Sequence, residues 1–280
     1  MSPSGLHRMS YKEWGDPDNN RVLICVHGVT RVGDDFDALA RALSGHYRVL
    51  CPDVVGRGRS DRLPDPQRYG IPQYVSDMVT LVARATRDAD TSIDWFGTSM
   101  GGLIGMAYAS LKGSPIRKLV LNDIGPTLDA AALSRIGEYI GQDLRFDSFE
   151  EAAGFVRQVS LSFGEHSEDE WRKLATDVLR RDEAGKWVRH HDLGVALPFR
   201  ALTRETAQSD EAALWAAYDA IRCPTLLVRG EHSDLLSRET AAAMAQRGPK
   251  AQVVEIPNVG HAPTFLHDEQ IAIARSFLIG

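Results

Sequence analysis

The sequence predicts an α/β fold: a mostly parallel sheet whose chain is interrupted once by an all-helical insert. Three observations carry this. Short continuous apolar runs recur, each closed by a Gly- or Pro-bearing turn and followed by an amphipathic stretch. That pattern stops near residue 125 and resumes near 223. Finally, 280 residues with 43% hydrophobic and 25% charged side chains suffice for a sizeable core in an ordinary globular protein.

The elements follow in chain order. LHRMSYKEW alternates polar and apolar residues and suits an antiparallel edge strand. VLICVHG (22–28) precedes DDFDALARAL. YRVLCPD (47–53) precedes a polar Gly-rich loop and then PQYVSDMVTLVARAT. TSIDWFGTS (91–99) precedes MGGLIGMAYASL, and IRKLVLND (116–123) follows. Unbroken apolar runs of this length read as strands buried on both faces, and their alternation with helices gives right-handed βαβ units. From about 128 to 218 no strand candidate occurs. AALSRIGEYIG, SFEEAAGFVRQVSLSF, SEDEWRKLATDVLRRD and DEAALWAAY read as helices, and Ser148 with Glu151 and Ser167 with Glu170 have capping-box spacing. CPTLLVRGE (223–231), a helix, AQVVEIP (251–257) and a last helix (268–279) complete the chain. The division is therefore a core of 1–127 and 219–280 with an insert of 128–218, and no internal repeat or low-complexity tract appears.

Charge and cysteine usage narrow the partners. Net charge is −6 with basic residues scattered, which argues against nucleic acid or an anionic membrane. No stretch approaches the ~18 apolar residues of a membrane span, and the first twenty residues lack the apolar core of a signal peptide. Cys25, Cys51 and Cys223 sit in or beside apolar runs, an odd, sparse set that suits reduced, buried thiols. A cytoplasmic location is expected. PDVVGRGRSD has paired glycines after a strand but not the spacing of a dinucleotide loop, and no Walker lysine follows any glycine-rich turn. WRKLATDVLRRDEAGK reads most simply as a solvated helix face.

Chemistry concentrates in IDWFGTSMGGLIG. Gly97-Thr98-Ser99-Met100-Gly101 is a G-x-S-x-G turn at a strand-to-helix junction. A nucleophile exposed on so sharp a turn needs neighbours without bulk two residues before and after it. Serine is a weak nucleophile and requires a base oriented by a third group. His261 in IPNVGHAPTFLH, just past the last apolar strand, is the expected base. Asp234 in VRGEHSDLL is the expected acid, and Ser99, Asp234, His261 is the chain order of this arrangement. Asp123, at the end of IRKLVLND, is the alternative acid. His232 reads as an exposed loop residue and His267 as the start of the last helix. His190 and His191, adjacent in the insert, could line the pocket; without further spaced ligands they are a weak metal signal, and no metal is expected. The oxyanion donors are expected to be the N–H groups of Met100 and Val29. His27 reads as a structural hydrogen-bonding residue, and Arg31 as either a surface charge or a pocket-rim contact.

HGVTR, CPDVVGRGRSD, GTSMGG, LVRGEHSD and VGHAP together resemble the serial landmarks of the α/β-hydrolase superfamily, spanning nearly the whole chain outside the insert. The resemblance implies an eight-stranded sheet with a helical cap over the active site. It carries nucleophile, acid and base to Ser99, Asp234 and His261, and the oxyanion donors to Val29 and Met100. Ser99 excludes the dehalogenases and epoxide hydrolases that use aspartate at this point. Gly260-His261-Ala262-Pro263 is similar to the carboxylesterases of pimeloyl-carrier-protein methyl ester. GTSMGG also resembles hydrolases that break carbon–carbon bonds in ring-cleavage products, but those usually carry a tryptophan after the base histidine, where this chain has Ala262-Pro263.

The expected function is therefore hydrolysis of small to medium carboxylic esters through an acyl-enzyme, with no cofactor. A carbon–carbon hydrolase is the alternative within the same chemistry, and acyl transfer or perhydrolysis would use the same residues. A non-enzymatic ligand receptor on the same fold is the alternative from another class; it has no need of an activated nucleophile. The partner is a small ester or related acyl compound. Whether the chain forms a homo-oligomer is open.

Overall fold

The computed structural model describes residues 5–200 and 204–280, with the side chains of 204–207 left aside. Strand β1 (Tyr11–Trp14) is followed by β2 (Arg21–Val26), helix α1 (Asp37–Leu43), β3 (Arg48–Pro52), α2 (Ile71–Ala85), β4 (Ser92–Thr98), α3 (Met100–Ala109) and β5 (Ile116–Asn122). Next come α4 (Ala130–Ile140), α5 (Phe149–Val159), α6 (Glu168–Val178), β6 (Leu179–Arg181), β7 (Trp187–Arg189), α7 (Leu197–Arg200) and α8 (Arg204–Ala220). The chain closes with β8 (Thr225–Gly230), α9 (Arg238–Met244), β9 (Gln252–Ile256) and α10 (Asp268–Ile279).

The main sheet runs β1-β3-β2-β4-β5-β8-β9, with β1 antiparallel at one edge and every other pairing parallel. Among the described residues it has seven strands, where the resemblance implies eight. The continuous apolar runs explain its burial. In β2, Val22, Ile24 and Val26 join the core on one face, while Leu23 and Cys25 join the core on the other. Successive strand side chains alternate faces, so a strand covered on both sides must be apolar throughout. Helices α1 and α10 cover the second face; α2, α3, α8 and α9 cover the first.

The segment between β5 and β8 departs from the all-helical expectation in one respect. Leu179–Arg181 and Trp187–Arg189 form an antiparallel hairpin, β6 with β7. These strands are three residues each, and the AspGluAlaGly turn between them sits in a charge-rich run, so no apolar periodicity marks them. The helices around the hairpin end where the sequence says. Ser148 and Ser167 both complete capping boxes, with Glu151 and Glu170 reaching back to the cap backbone. Ala152, Val156, Ala175, Val178 and Leu179 form a small separate core, into which Val32 projects from the loop after β2.

Register places the chemistry. Val26 pairs with Gly97, Thr98 with Asn122, and Asn122 with Val228. Ser99 and Asp123 are thus the first residues beyond the paired ends of adjacent strands, which lie ~4.8 Å apart.

Candidate active site

Ser99 adopts φ 51°, ψ −117°, a left-handed conformation strained for a residue with a side chain. The flanking glycines permit it. A Cβ at Gly97 would fall 2.3 Å from the carbonyl oxygen of Gly101, and one at Gly101 would fall 1.9 Å from that of Val26. Any larger residue would push α3 away from the sheet and the serine off its perch.

Ser99 Oγ–H donates to His261 Nε2 at 2.9 Å. His261 Nδ1 donates to Asp123 Oδ2 at 2.8 Å. A carboxylate oxygen accepts, so Nδ1 carries the ring proton and Nε2 presents its lone pair to the hydroxyl. Asp123 is wholly buried; its other oxygen accepts the Gly230 N–H at 2.8 Å, and Ser233 Oγ donates to Oδ2 at 2.6 Å. Both supports come from β8 and its loop.

This corrects the expectation that Asp234 meets His261. Asp234 lines the same cavity as Ser99 but does not bond the ring; it is 47% exposed and forms an ion pair with Arg135 of α4. The reason is distance along the chain. Asp123 is one residue past β5, while Asp234 is four residues past β8, and Ser233 has already taken the inward position. The signal in the sequence was adjacency: Asp123 follows an apolar strand with no polar loop between, whereas the polar EHSD loop separates Asp234 from its strand and pairs it with Arg135.

Met100 opens α3, where a helix leaves its first N–H groups without intrahelical partners. Val29 and Gly28 line the same cavity as Ser99, and a Cβ on Gly28 would sit 3.8 Å from that of Ser99. His27 is buried and pushed down to about 4, first by desolvation. Its Nε2 accepts the Val54 N–H at 2.9 Å, so Nδ1 donates to the Gly28 carbonyl at 2.7 Å. Arg31 lies in the cavity wall, bonded through Nε and Nη2 to Asp35 at 2.8 and 2.6 Å. His190 and His191 bond the carbonyls of Leu179 and Ile140 and do not line the cavity. His232 is exposed beside Glu231, and His267 precedes α10, facing Glu170 at 3.3 Å. Among the described residues no group of three or more His, Cys, Asp or Glu is arranged to hold a metal ion.

The cavity above Ser99 holds about 430 Å³. Its floor is the strand ends, and its walls include Arg135, Tyr139, Val156 and Phe163 from the segment between β5 and β8. That segment also grips the histidine loop. Ser162 Oγ donates to the His261 carbonyl at 2.5 Å, and the Gly260 N–H donates to the Ser162 carbonyl at 2.6 Å. Nothing in QVSLSF marks this contact in the sequence.

A family model described as the alpha/beta hydrolase fold matches residues 21–268. The chain is similar to a 3-hydroxybutyrate-oligomer hydrolase of Cupriavidus necator, 54% identical over all of this chain and 96% of that one. It is similar, at 26% identity over 90% of this chain and 92% of the other, to a pimeloyl-[acyl-carrier protein] methyl ester esterase of Xanthomonas campestris. Among solved structures, an alpha/beta hydrolase from Novosphingobium aromaticivorans superimposes with a TM-score of 0.82 at 33% identity, covering 98% of this chain and 99% of that one.

Proposed function

We propose, from the premise that this chain belongs to the α/β-hydrolase fold family, that it is a serine hydrolase cleaving the ester bonds of short hydroxyacyl oligomers. That it hydrolyses carboxylic esters follows from its 54% identity to a hydrolase of 3-hydroxybutyrate oligomers. The assignment of roles rests on one observation, the unbroken line from Asp123 through His261 to Ser99 inside a cavity.

In this reading His261 Nε2 takes the proton of Ser99 as Oγ attacks the ester carbonyl carbon. The carbonyl electrons move to oxygen, which receives the N–H groups of Val29 and Met100; losing one such donor costs about 3–4 kcal/mol of barrier. The intermediate collapses, the carbon–oxygen bond to the alcohol breaks, and the proton on His261 goes to the departing alkoxide. Water, deprotonated by His261, then attacks the acyl-enzyme and the same steps free the acid. Asp123 holds the ring tautomer and stabilises the imidazolium throughout.

A cavity of about 430 Å³ is in the range of small-molecule sites and suits an ester with a few carbons on each side. Residues 128–218 act as the cap that sets acyl choice, a role supported by the wall residues they contribute, Arg135, Tyr139, Val156 and Phe163 among them. No helix among the described residues is long and apolar enough to cross a membrane, and the cysteines are free thiols, which supports a cytoplasmic location. The test is release of monomer from the linear dimer and trimer of 3-hydroxybutyrate. Wild type should cleave both, and Ser99→Ala should cleave neither while keeping its melting temperature. Cleavage by the Ala variant would overturn the role of Ser99. Ready hydrolysis of 4-nitrophenyl butyrate with the oligomers untouched would overturn the substrate class alone.

A further inference from the structure

The loop PDVVGRGRSD has no part in the reaction as described, yet it puts an arginine against both residues of the oxyanion hole. Arg57 is 1% exposed. Its Nε donates to the Val29 carbonyl at 2.9 Å, and its Nη2 lies 3.5 Å from the Met100 sulfur. Nη1 donates to the Val55 carbonyl and to the Tyr74 hydroxyl, each at 2.8 Å. The guanidinium lies over the rings of Tyr74 and Tyr69, at 5.0 and 5.7 Å. Among the described residues its partners are neutral, and no carboxylate stands within ion-pair distance. The nearby Asp53 is occupied elsewhere, accepting the N–H groups of Gly33 and Arg59 and facing the Arg59 guanidinium.

Burying a charge without a counter-ion is costly, and ordinary packing would place an apolar side chain here. The position of this one explains its presence. We propose that Arg57 is the positioning residue of the oxyanion hole, tying the residue that bears one donor to the residue that bears the other and setting an unpaired positive charge behind both. The proposal rests on the reading of Val29 and Met100 as those donors. Peptide geometry gives the mechanism. The Val29 N–H belongs to the peptide whose carbonyl is Gly28, which His27 Nδ1–H fixes. The next peptide, bearing the Val29 carbonyl, is fixed by Arg57 Nε. With the planes on both sides of Val29 held, its N–H cannot swing out of line as charge develops on the substrate oxygen. A donor set that needs no reorganisation during reaction is what makes such a site effective.

The test uses the whole enzyme with Arg57→Lys, which keeps the charge and the stem but cannot reach Val29 and Met100 together, and Arg57→Met, which keeps only the stem. The readouts are kcat and KM for 4-nitrophenyl butyrate and the affinity for a phenylboronic acid that forms a tetrahedral adduct on Ser99. For the Lys variant we expect kcat to fall about 10–100-fold with KM within 2-fold, and boronate affinity to fall by the same factor. The Met variant should fall further, by about 10²–10³-fold, the scale of losing one oxyanion donor. Unchanged kcat in the Lys variant, or a fall in kcat with boronate affinity retained, would overturn the proposal. Should the Met variant not fold, the Lys variant decides alone. A failure of the parent reading shows separately, as turnover that survives Ser99→Ala.

Discussion

At the scale of single residues, the acid is the sharpest case. A carboxylate that orients the base must be buried and bonded to it, which Asp123 is and Asp234 is not. Asp123→Asn leaves the histidine free to adopt the wrong tautomer, and turnover should fall on the order of 10⁴-fold with KM little changed. Asp234→Asn removes a half-exposed ion pair with Arg135 in the cavity lining, a contact worth at most about 1 kcal/mol, and steady-state kinetics should show less than a 5-fold change. A large loss in the Asp234 variant with a small one in the Asp123 variant would return the acid to the loop after β8. The placement of Ser99, Met100 and His261 was legible because their local patterns carry their geometry: two glycines two residues away, a helix start, a loop past the last strand. The ring's carboxylate partner was not, because two strand ends offered carboxylates and only the folded loops show that His261 and Ser233 both bond Asp123. Arg57 was illegible for a related reason, since its value lies in contacts with Val29 and Met100, 28 and 43 residues away.

At the scale of elements, the strands and capped helices follow the apolar periodicity and the Ser-x-x-Glu signals closely, while the β6–β7 hairpin was hidden by its brevity. Periodicity alone did not supply the relation between elements; the expectation of a helical cap over the strand ends came from the resemblance, and α4 and α5 do line the cavity there. Val156 on α5 is buried in the small core there and lines the cavity. Val156→Phe should therefore shorten the acyl room, lowering kcat/KM for a hexanoyl ester at least 10-fold while an acetyl ester stays within about 3-fold, since one methylene in an apolar pocket already carries 10–200-fold discrimination. A panel of 4-nitrophenyl esters measures this directly. Equal losses across the panel would remove α5 from substrate choice.

The whole molecule carries a pH signature. His27 and His191 are each pushed down to about 4, principally by desolvation, from an ordinary value of 6.5. Below pH 6.5 the unfolded chain takes up protons that the folded chain refuses, so stability falls as the pH drops from 6.5 toward 4. For each buried ring the loss is on the order of 3 kcal/mol once pH 4 is passed. His191→Gln, whose amide can still donate to the Ile140 carbonyl, should flatten part of that slope. Melting temperatures at pH 7.5 and 5.0 should differ less in the variant than in wild type, and an unchanged difference would remove His191 from the account. Asp177 opposes this trend: desolvation, then Asp35, raises it to about 6, so its carboxylate costs stability as the pH climbs through the window that the histidines favour.

The spacing of the three hydrogen-bonded groups has a consequence for how the enzyme comes into being. Ser99 and Asp123 stand on neighbouring strands of the first half of the chain, but the ring that joins them is 162 residues from the one and 138 from the other. Ser162, which grips that ring's backbone, is also made before it, 99 residues ahead. Folding that proceeds from the amino end as the ribosome works would therefore place the nucleophile and shape the chamber around it while no group is present to accept its proton. A growing chain is chemically silent until its last stretch docks. A translation product cut short before residue 261 would lack both the ring that bonds Ser99 and the helix α10 that closes one face of the sheet.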